Sequence, residues 1–333
     1  MAENGLPIRL GRGPPPTADE TLNSPSGSAT PGQARPDLRS LLFLGAIILV
    51  WGSNWPIMKI GLQSIPPLTF AAVRLGTGAV CLFAVLVVLG RLRLPERRDY
   101  PVIFSVGIIQ LAVFLVLVNL GLSRVDAGRS AILSYTTVLW VTPAAVLFLG
   151  ERLSRRKTVG LLAGLAGVGV MFNPLSFDWD DPELLLGNAL LLAAALSWAV
   201  AILHVRAHDW RAQPLDLAPW QLLAGFVPVL LAALWFEGDQ PIRWSGTLVG
   251  VLAYNGPIAT GFAIWAWVSV NRALPAITTS IGSLGVPAVG VLASALVLDE
   301  ALSVTNLLGL GFIVTGLAVV SLDAEPGGRA LGS

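Results

Sequence analysis

VLFLGERLSRR, residues 146–156, sets a glutamate between two strongly apolar stretches, and LVLDEALSVTN, residues 296–306, does nearly the same 149 positions later. Glu151 matches Glu300, Leu153 matches Leu302 and Ser154 matches Ser303. The first copy runs straight into Arg155, Arg156 and Lys157, whereas the second is followed by no basic residue. A phrase repeated this closely, with its charge removed from one copy, points to two related halves used in different surroundings.

Working outward, the same shift aligns Ala127 with Ala276, Ile132 with Ile281, Ser134 with Ser283, Gly160 with Gly309 and Gly167 with Gly316. Trp51 pairs with Trp198 and Lys59 with Arg206 at a slightly different offset. The surroundings are lipid. Of 333 residues 54% are hydrophobic and 12% charged, with a mean hydropathy of +0.74; soluble domains carry about 25% charged residues. Nearly every apolar run approaches the roughly 20 residues that cross a bilayer. The chain reads as an all-α polytopic membrane protein.

Ten spans are expected, at about 41–61, 67–89, 102–121, 128–149, 158–173, 185–205, 215–236, 246–268, 276–298 and 304–322. The fifth is short and rich in glycine, which suits close helix contact in lipid. With the N-terminus in the cytoplasm, sixteen Arg and Lys residues fall on the inner side and four outside, with Arg74 inside a span. That bias sets the orientation and places both termini in the cytoplasm, as an even number of spans requires.

Five spans per half is an odd number, so two similar halves in series must insert in opposite directions. Residues 39–173 form the first repeat and 185–322 the second, joined by an acidic external loop at 174–184. Residues 1–38, rich in Pro, Gly and Ser, read as a disordered cytoplasmic tail, and 323–333 as a C-terminal tail. The first apolar run is long enough to stay as a span, which argues against a cleaved signal. Inverted repeats are a signature of alternating-access carriers, with the substrate near the midplane where the halves meet. A duplication serving another role is the competing reading.

The WGSNW opening at 51–55, the arginine in FAAVRLG at 70–76, and LGERLS at 149–154 followed by a Gly-rich helix resemble the drug/metabolite transporter superfamily, in its EamA-like branch. The resemblance covers about residues 41–322. The second half departs from it at Asp299, where the family often has glycine, and lacks a second WGSN. It implies a carrier of the bacterial inner membrane, many such carriers being exporters of amino acids and related metabolites.

A midplane carboxylate of the kind used for ion coupling is not found; all twenty acids fall in tails, loops or helix ends. Glu151 and Glu300 are expected to cap the amides of the next helix or pair with neighbouring basic residues. Arg74, about seven residues into the second span, either meets a substrate carboxylate or ties its helix to neighbouring carbonyls. Lys59 and Arg206 read as interfacial anchors. Trp220, Trp235, Trp244, Trp265 and Trp267 fall near span ends, where an aromatic belt explains them. Trp51, Trp55, Trp140 and Trp198 lie deeper and suggest a lined cavity or core packing.

Ser53, Asn54, Gln110, Tyr135, Asn255 and Ser283 are costly in lipid, so they are expected to face the interior or a cavity. Ser197, at similar depth, belongs with them. Pro56, Pro143, Pro257 and Pro287 interrupt spans and serve as candidate hinges, freeing the carbonyls of Gly52, Leu139, Ala253 and Ser283. The expected site is aromatic, neutral and hydrogen-bonding, suited to a zwitterionic or neutral small molecule. A phosphorylated substrate would want several basic residues.

The leading reading is export of small amino-acid-like metabolites, aromatic or neutral ones included. Carriage of another amphiphile, a purine or a drug, is the alternative, and a membrane-embedded enzyme is the alternative from another class. Against the enzyme stands the lack of a metal-ligand cluster, of a nucleophile paired with a base, and of a phosphate loop; His204 and His208 have no acidic partner at ligand spacing. No cofactor and no metal are expected. The near-neutral net charge says nothing about nucleic acid, but without a basic patch or aromatic-basic groove no nucleic-acid partner is expected, and the lone Cys81 sets no internal disulfide.

Overall fold

A computed structural model describes residues 38–151, 153–172, 180–274, 279 and 281–322. Residues 1–37 of the expected N-terminal tail, the tail at 323–333 and most of the acidic loop lie outside them, while Leu38, placed in the tail, opens the first helix. The helices are α1 (Leu38–Leu62), α2 (Pro67–Val88), α3 (Arg97–Leu122), α4 (Ala127–Leu149), α5 (Arg155–Phe172), α6 (Pro182–Ala207), α7 (Pro214–Glu237), α8 (Gly246–Ala273), α9 (Gly285–Leu298) and α10 (Val304–Leu322). No strand occurs among the described residues. In hydrocarbon every backbone amide needs an internal partner, and a helix supplies one within the segment.

Seven of these helices, α1–α4 and α6–α8, are long and apolar enough to cross a membrane. Ten spans were expected, and the other three positions hold α5, α9 and α10. α5 opens on Arg155, Arg156 and Lys157, which lowers its hydropathy, and the regular helix of the ninth starts only at Gly285, past the turn at Ser283–Leu284. The sixth helix starts at Pro182, earlier than expected, because Asp181 Oδ1 accepts from the amides of Glu183 and Leu184 and caps it.

Two helices carry π-helical turns, at Ser105–Val113 in α3 and Pro257–Phe262 in α8. Two are interrupted: α4 at Tyr135–Thr136, and the chain before α9 at Ser283–Leu284. The expected hinges divide accordingly. Pro257 opens a π-turn, and Pro56 lies within α1. Pro143 sits well past the interruption of α4, inside the regular helix Thr137–Leu149. Pro287 stands in the first turn of α9, where an amide would lack a helical partner anyway.

Packing falls into pairs. α1 lies on α9 and α8, α6 on α4 and α3, α2 on α7 and α8, and α3 on α7. α5 and α10 cross so closely that a Cβ at Gly167 would meet the Gly309 carbonyl oxygen at 2.6 Å, and one at Gly316 would meet that of Gly160 at 2.6 Å. Contacts this tight exclude any side chain and let dispersion act between backbones.

The opening phrase now has a structural content. Ser154 Oγ accepts from the Lys157 amide and Ser303 Oγ from the Asn306 amide, each 3.1 Å, capping α5 and α10. Gly150 and Asp299 both end their helices in the left-handed region, at φ 65° and 54°. Glu300 reaches across to the start of α4, where its two oxygens accept from Ala127 and Gly128 at 3.1 and 3.2 Å. It therefore caps a distant helix rather than the next one. Glu151, at the opposite end of α4, lies 3.8 Å from Arg206. Glu237 does for α2 what Glu300 does for α4, accepting from the amides of Leu68 and Thr69.

Lys59 and Arg206 are more than surface anchors. Lys59 Nζ donates to the Leu122 and Val125 carbonyls at 2.7 and 2.8 Å, and Arg206 Nη1 donates to that of Asn271 at 3.1 Å. Each satisfies the orphan carbonyls at the end of a π-containing helix.

Candidate functional site

A cavity lies among α1, α2, α3, α4, α6, α8 and the Ser283 turn. The cavity measures about 60 Å³. A single water occupies roughly 10–15 Å³ on that measure, so a handful of waters or a small ligand fits.

The cavity has an aromatic wall. The Trp51 and Trp198 rings meet edge to face with centroids 5.4 Å apart, Trp267 lies 5.4 Å from Trp51 and 5.8 Å from Trp198, and Phe114 lies 4.5 Å from Trp198. These separations fall in the favourable range for aromatic pairs. Trp51 Nε1 donates to the Ala259 carbonyl in the π-turn of α8 at 2.9 Å, fixing its ring. The other walls carry the polarity. Arg74, 4% exposed, donates from Nε to Thr260 Oγ1 at 3.0 Å and from Nη1 to Met58 Sδ at 2.9 Å. No carbonyl or carboxylate holds it among the described residues. Among the described residues it is also the one charged side chain lining the cavity.

Three further polar atoms at the cavity are buried without a hydrogen-bond partner among the described residues: Asn54 Oδ1, Ser134 Oγ and Trp267 Nε1. A buried polar atom left unpaired costs about 1–3 kcal/mol, so a ligand that pairs with them is favoured. The cavity thus offers a cation and an N–H donor, an amide acceptor, a hydroxyl and an aromatic surface.

Of the residues expected at the site, Trp51, Asn54, Trp55, Arg74, Tyr135, Trp198 and Ser283 are brought together at the cavity. Four are not. Trp140 is 45% exposed on the outer face of α4, past the interruption. Ser53 bonds the Leu49 carbonyl and Tyr254, tying α1 to α8. Gln110 and Asn255 are buried in α3 and α8 away from the cavity lining, with Gln110 Nε2 and Asn255 Oδ1 unpartnered. Ser197 bonds its own backbone at Ala194.

Sequence reasoning missed Trp267, Ser134 and Thr260. Trp267 was assigned to a belt because the span was expected to end at 268; α8 runs on to Ala273, which leaves Trp267 six residues inside. Ser134 carried a signal, since it pairs with Ser283 across the 149-residue shift.

Long apolar helices around a buried, polar-lined cavity define a multi-pass membrane protein with the build of a carrier. The profile of the EamA-like transporter family matches twice, over residues 38–173 and 185–322. The chain belongs to the EamA-like transporter family. Its relatives include the uncharacterized transporter YoaV of Bacillus subtilis, 28% identical over 84% of this chain and 96% of that one. The probable amino-acid metabolite efflux pump of Escherichia coli is 27% identical over 82% of this chain and 91% of its own. Escherichia coli also has the uncharacterized inner membrane transporter YedA, 30% identical over 84% and 89%. A solved crystal structure shares the fold, with a TM-score of 0.69 over 90% of this chain and 99% of that chain at 22% identity.

Proposed function

We propose that this protein exports small amino-acid-like metabolites across the bacterial inner membrane by alternating access. The observation that carries the reading is Arg74, a buried cation without a carboxylate partner among the described residues, set in a cavity with an aromatic wall. A guanidinium so placed binds a carboxylate with charge-assisted hydrogen bonds. Asn54 Oδ1 accepts from the ammonium of the same zwitterion, and the tryptophan faces attract it through their π-electrons. The side chain then lies along Phe114 and Trp198.

The transport mechanism rests on two inverted five-helix repeats of ten spans in all, with both termini in the cytoplasm. Support comes from the double family match and from features that recur about 149 residues apart: π-turns, helix interruptions and left-handed caps. Helix pairs exchange in the same way, α1 on α9 answering α6 on α4. The cavity draws residues from both matched stretches, as rocking one half against the other requires. With Arg74 the one charge at its wall among the described residues, we read transport as facilitated diffusion or weakly coupled exchange, without enzymatic chemistry or a cofactor.

The deciding assay uses purified full-length protein in liposomes, a panel of radiolabelled amino acids, and a pH gradient imposed or absent. Uptake of neutral amino acids that is indifferent to the gradient is expected. Strong proton dependence overturns the uncoupled reading, and failure to move any amino acid overturns the substrate class.

A further inference from the structure

Away from the cavity, three arginines converge at the end of the bundle that carries the α1 N-terminus. Arg39 in the first turn of α1, Arg91 just past α2, and Arg272 in the last turn of α8 line a separate pocket of about 490 Å³. The start of α7 at Gln213–Leu215 lines it too, and this helix end has no side-chain cap. Its positive dipole end therefore adds to the arginine charges.

Their counter-charge is incomplete. Arg91 pairs with Asp216 at 2.8 Å, the one carboxylate ion-paired with these three cations among the described residues. Arg272 is held without neutralisation: its guanidinium stacks 4.4 Å over the Trp210 ring and donates to the Ala212 carbonyl. Arg39 lies 5.3 Å from the Phe43 ring centroid and makes no ion pair among the described residues. Among the described residues, three cations against one anion leave the pocket positive.

The remaining wall is apolar. Phe43 and Trp265 line the pocket with centroids 5.3 Å apart, and Leu38, Leu42, Leu89 and Leu92, which flank Arg39 and Arg91 in sequence, are exposed. Tryptophan beside arginine at a helix end is the composition of the headgroup level of a bilayer. A soluble anion has no use for such a rim, whereas acyl chains do. Basic pockets between helices at that level are suited to anionic lipid headgroups.

We propose that this pocket binds the headgroup phosphate of an anionic phospholipid, with its acyl chains along the exposed leucines. The site is distinct from the cavity and does not depend on which substrate the cavity takes.

The test titrates detergent-purified full-length protein with short-chain phosphatidylglycerol and with the matching phosphatidylcholine, reading bound lipid by native mass spectrometry. Tighter binding of phosphatidylglycerol is expected, and Arg39→Gln should weaken it roughly fivefold, about the contribution of one surface cation. Arg39→Lys should retain most of the preference. The melting midpoint of each variant without lipid confirms that it is folded. Equal affinity for both lipids, or a preference unchanged in a folded Arg39→Gln protein, overturns the proposal. Displacement of the lipid by inorganic phosphate at matching concentration would make this a soluble-anion site and overturn it equally.

Discussion

Arg74 Nε donates to Thr260 Oγ1 at 3.0 Å, linking α2 to the π-turn of α8 at the cavity wall. With the bond from Nη1 to Met58, two of its five N–H groups are held by protein. The pair fixes a buried cation in place without neutralising it.

Replacing Arg74 should therefore cost binding more than folding. A charged hydrogen bond contributes about 1.5–3 kcal/mol, so Arg74→Gln should raise KM for amino-acid carboxylates about 10- to 100-fold. Proteoliposome uptake at matched protein amounts measures it. A wild-type KM in Arg74→Gln would show that the carboxylate binds elsewhere.

The tryptophan wall should govern which side chain is accepted. Aromatic contacts contribute about 0.5–1.5 kcal/mol beyond area burial. Trp198→Ala is expected to weaken aromatic substrates by up to about tenfold relative to small ones in competition uptake. Trp140→Ala, on the outer face, should leave the same ranking untouched.

The α5–α10 crossing should be intolerant of a single methyl group. At Gly167 and at Gly316 an added Cβ meets a backbone oxygen at 2.6 Å, so the helices must part. Gly167→Ala and Gly316→Ala should each lose about 1–3 kcal/mol, lowering the melting midpoint in detergent. Gly45→Ala, with nothing within 4 Å, provides the comparison.

Asp299 predicts the opposite sign. It holds φ 54° where Gly150 holds 65° in the matching cap. A left-handed residue other than glycine is strained by roughly 1–2 kcal/mol, less for aspartate. Asp299→Gly should raise the melting midpoint, read in the same assay. A fall would mean that the Asp299 side chain makes a stabilising contact there.

The bundle was legible because lipid leaves the chain few choices: apolar length, charge asymmetry and the ERLS/EALS phrase all reflect transfer energies acting along the chain. The cavity was half legible. Asn54, Arg74 and Trp198 could be singled out since a polar or amphipathic group deep in a span has to face protein. Trp140 misled because depth along a helix says nothing about which way around it a side chain points, and the interruption at Tyr135–Thr136 resets that direction. Gln110 and Asn255 were indeed buried, but between helices, a distinction that only packing makes. Glu300 capping Ala127 lies 173 residues away in sequence, beyond any local signal.

The π-turn at Pro257–Phe262 also fixes phase. Such a turn holds about one residue more than an α-helix of the same span, and one residue corresponds to about 100° of rotation. Deleting one position there would swing everything downstream in α8, carrying Trp267 off the cavity wall while leaving its identity intact. The aromatic surface that meets a substrate is thus set as much by a count of backbone units as by the rings themselves.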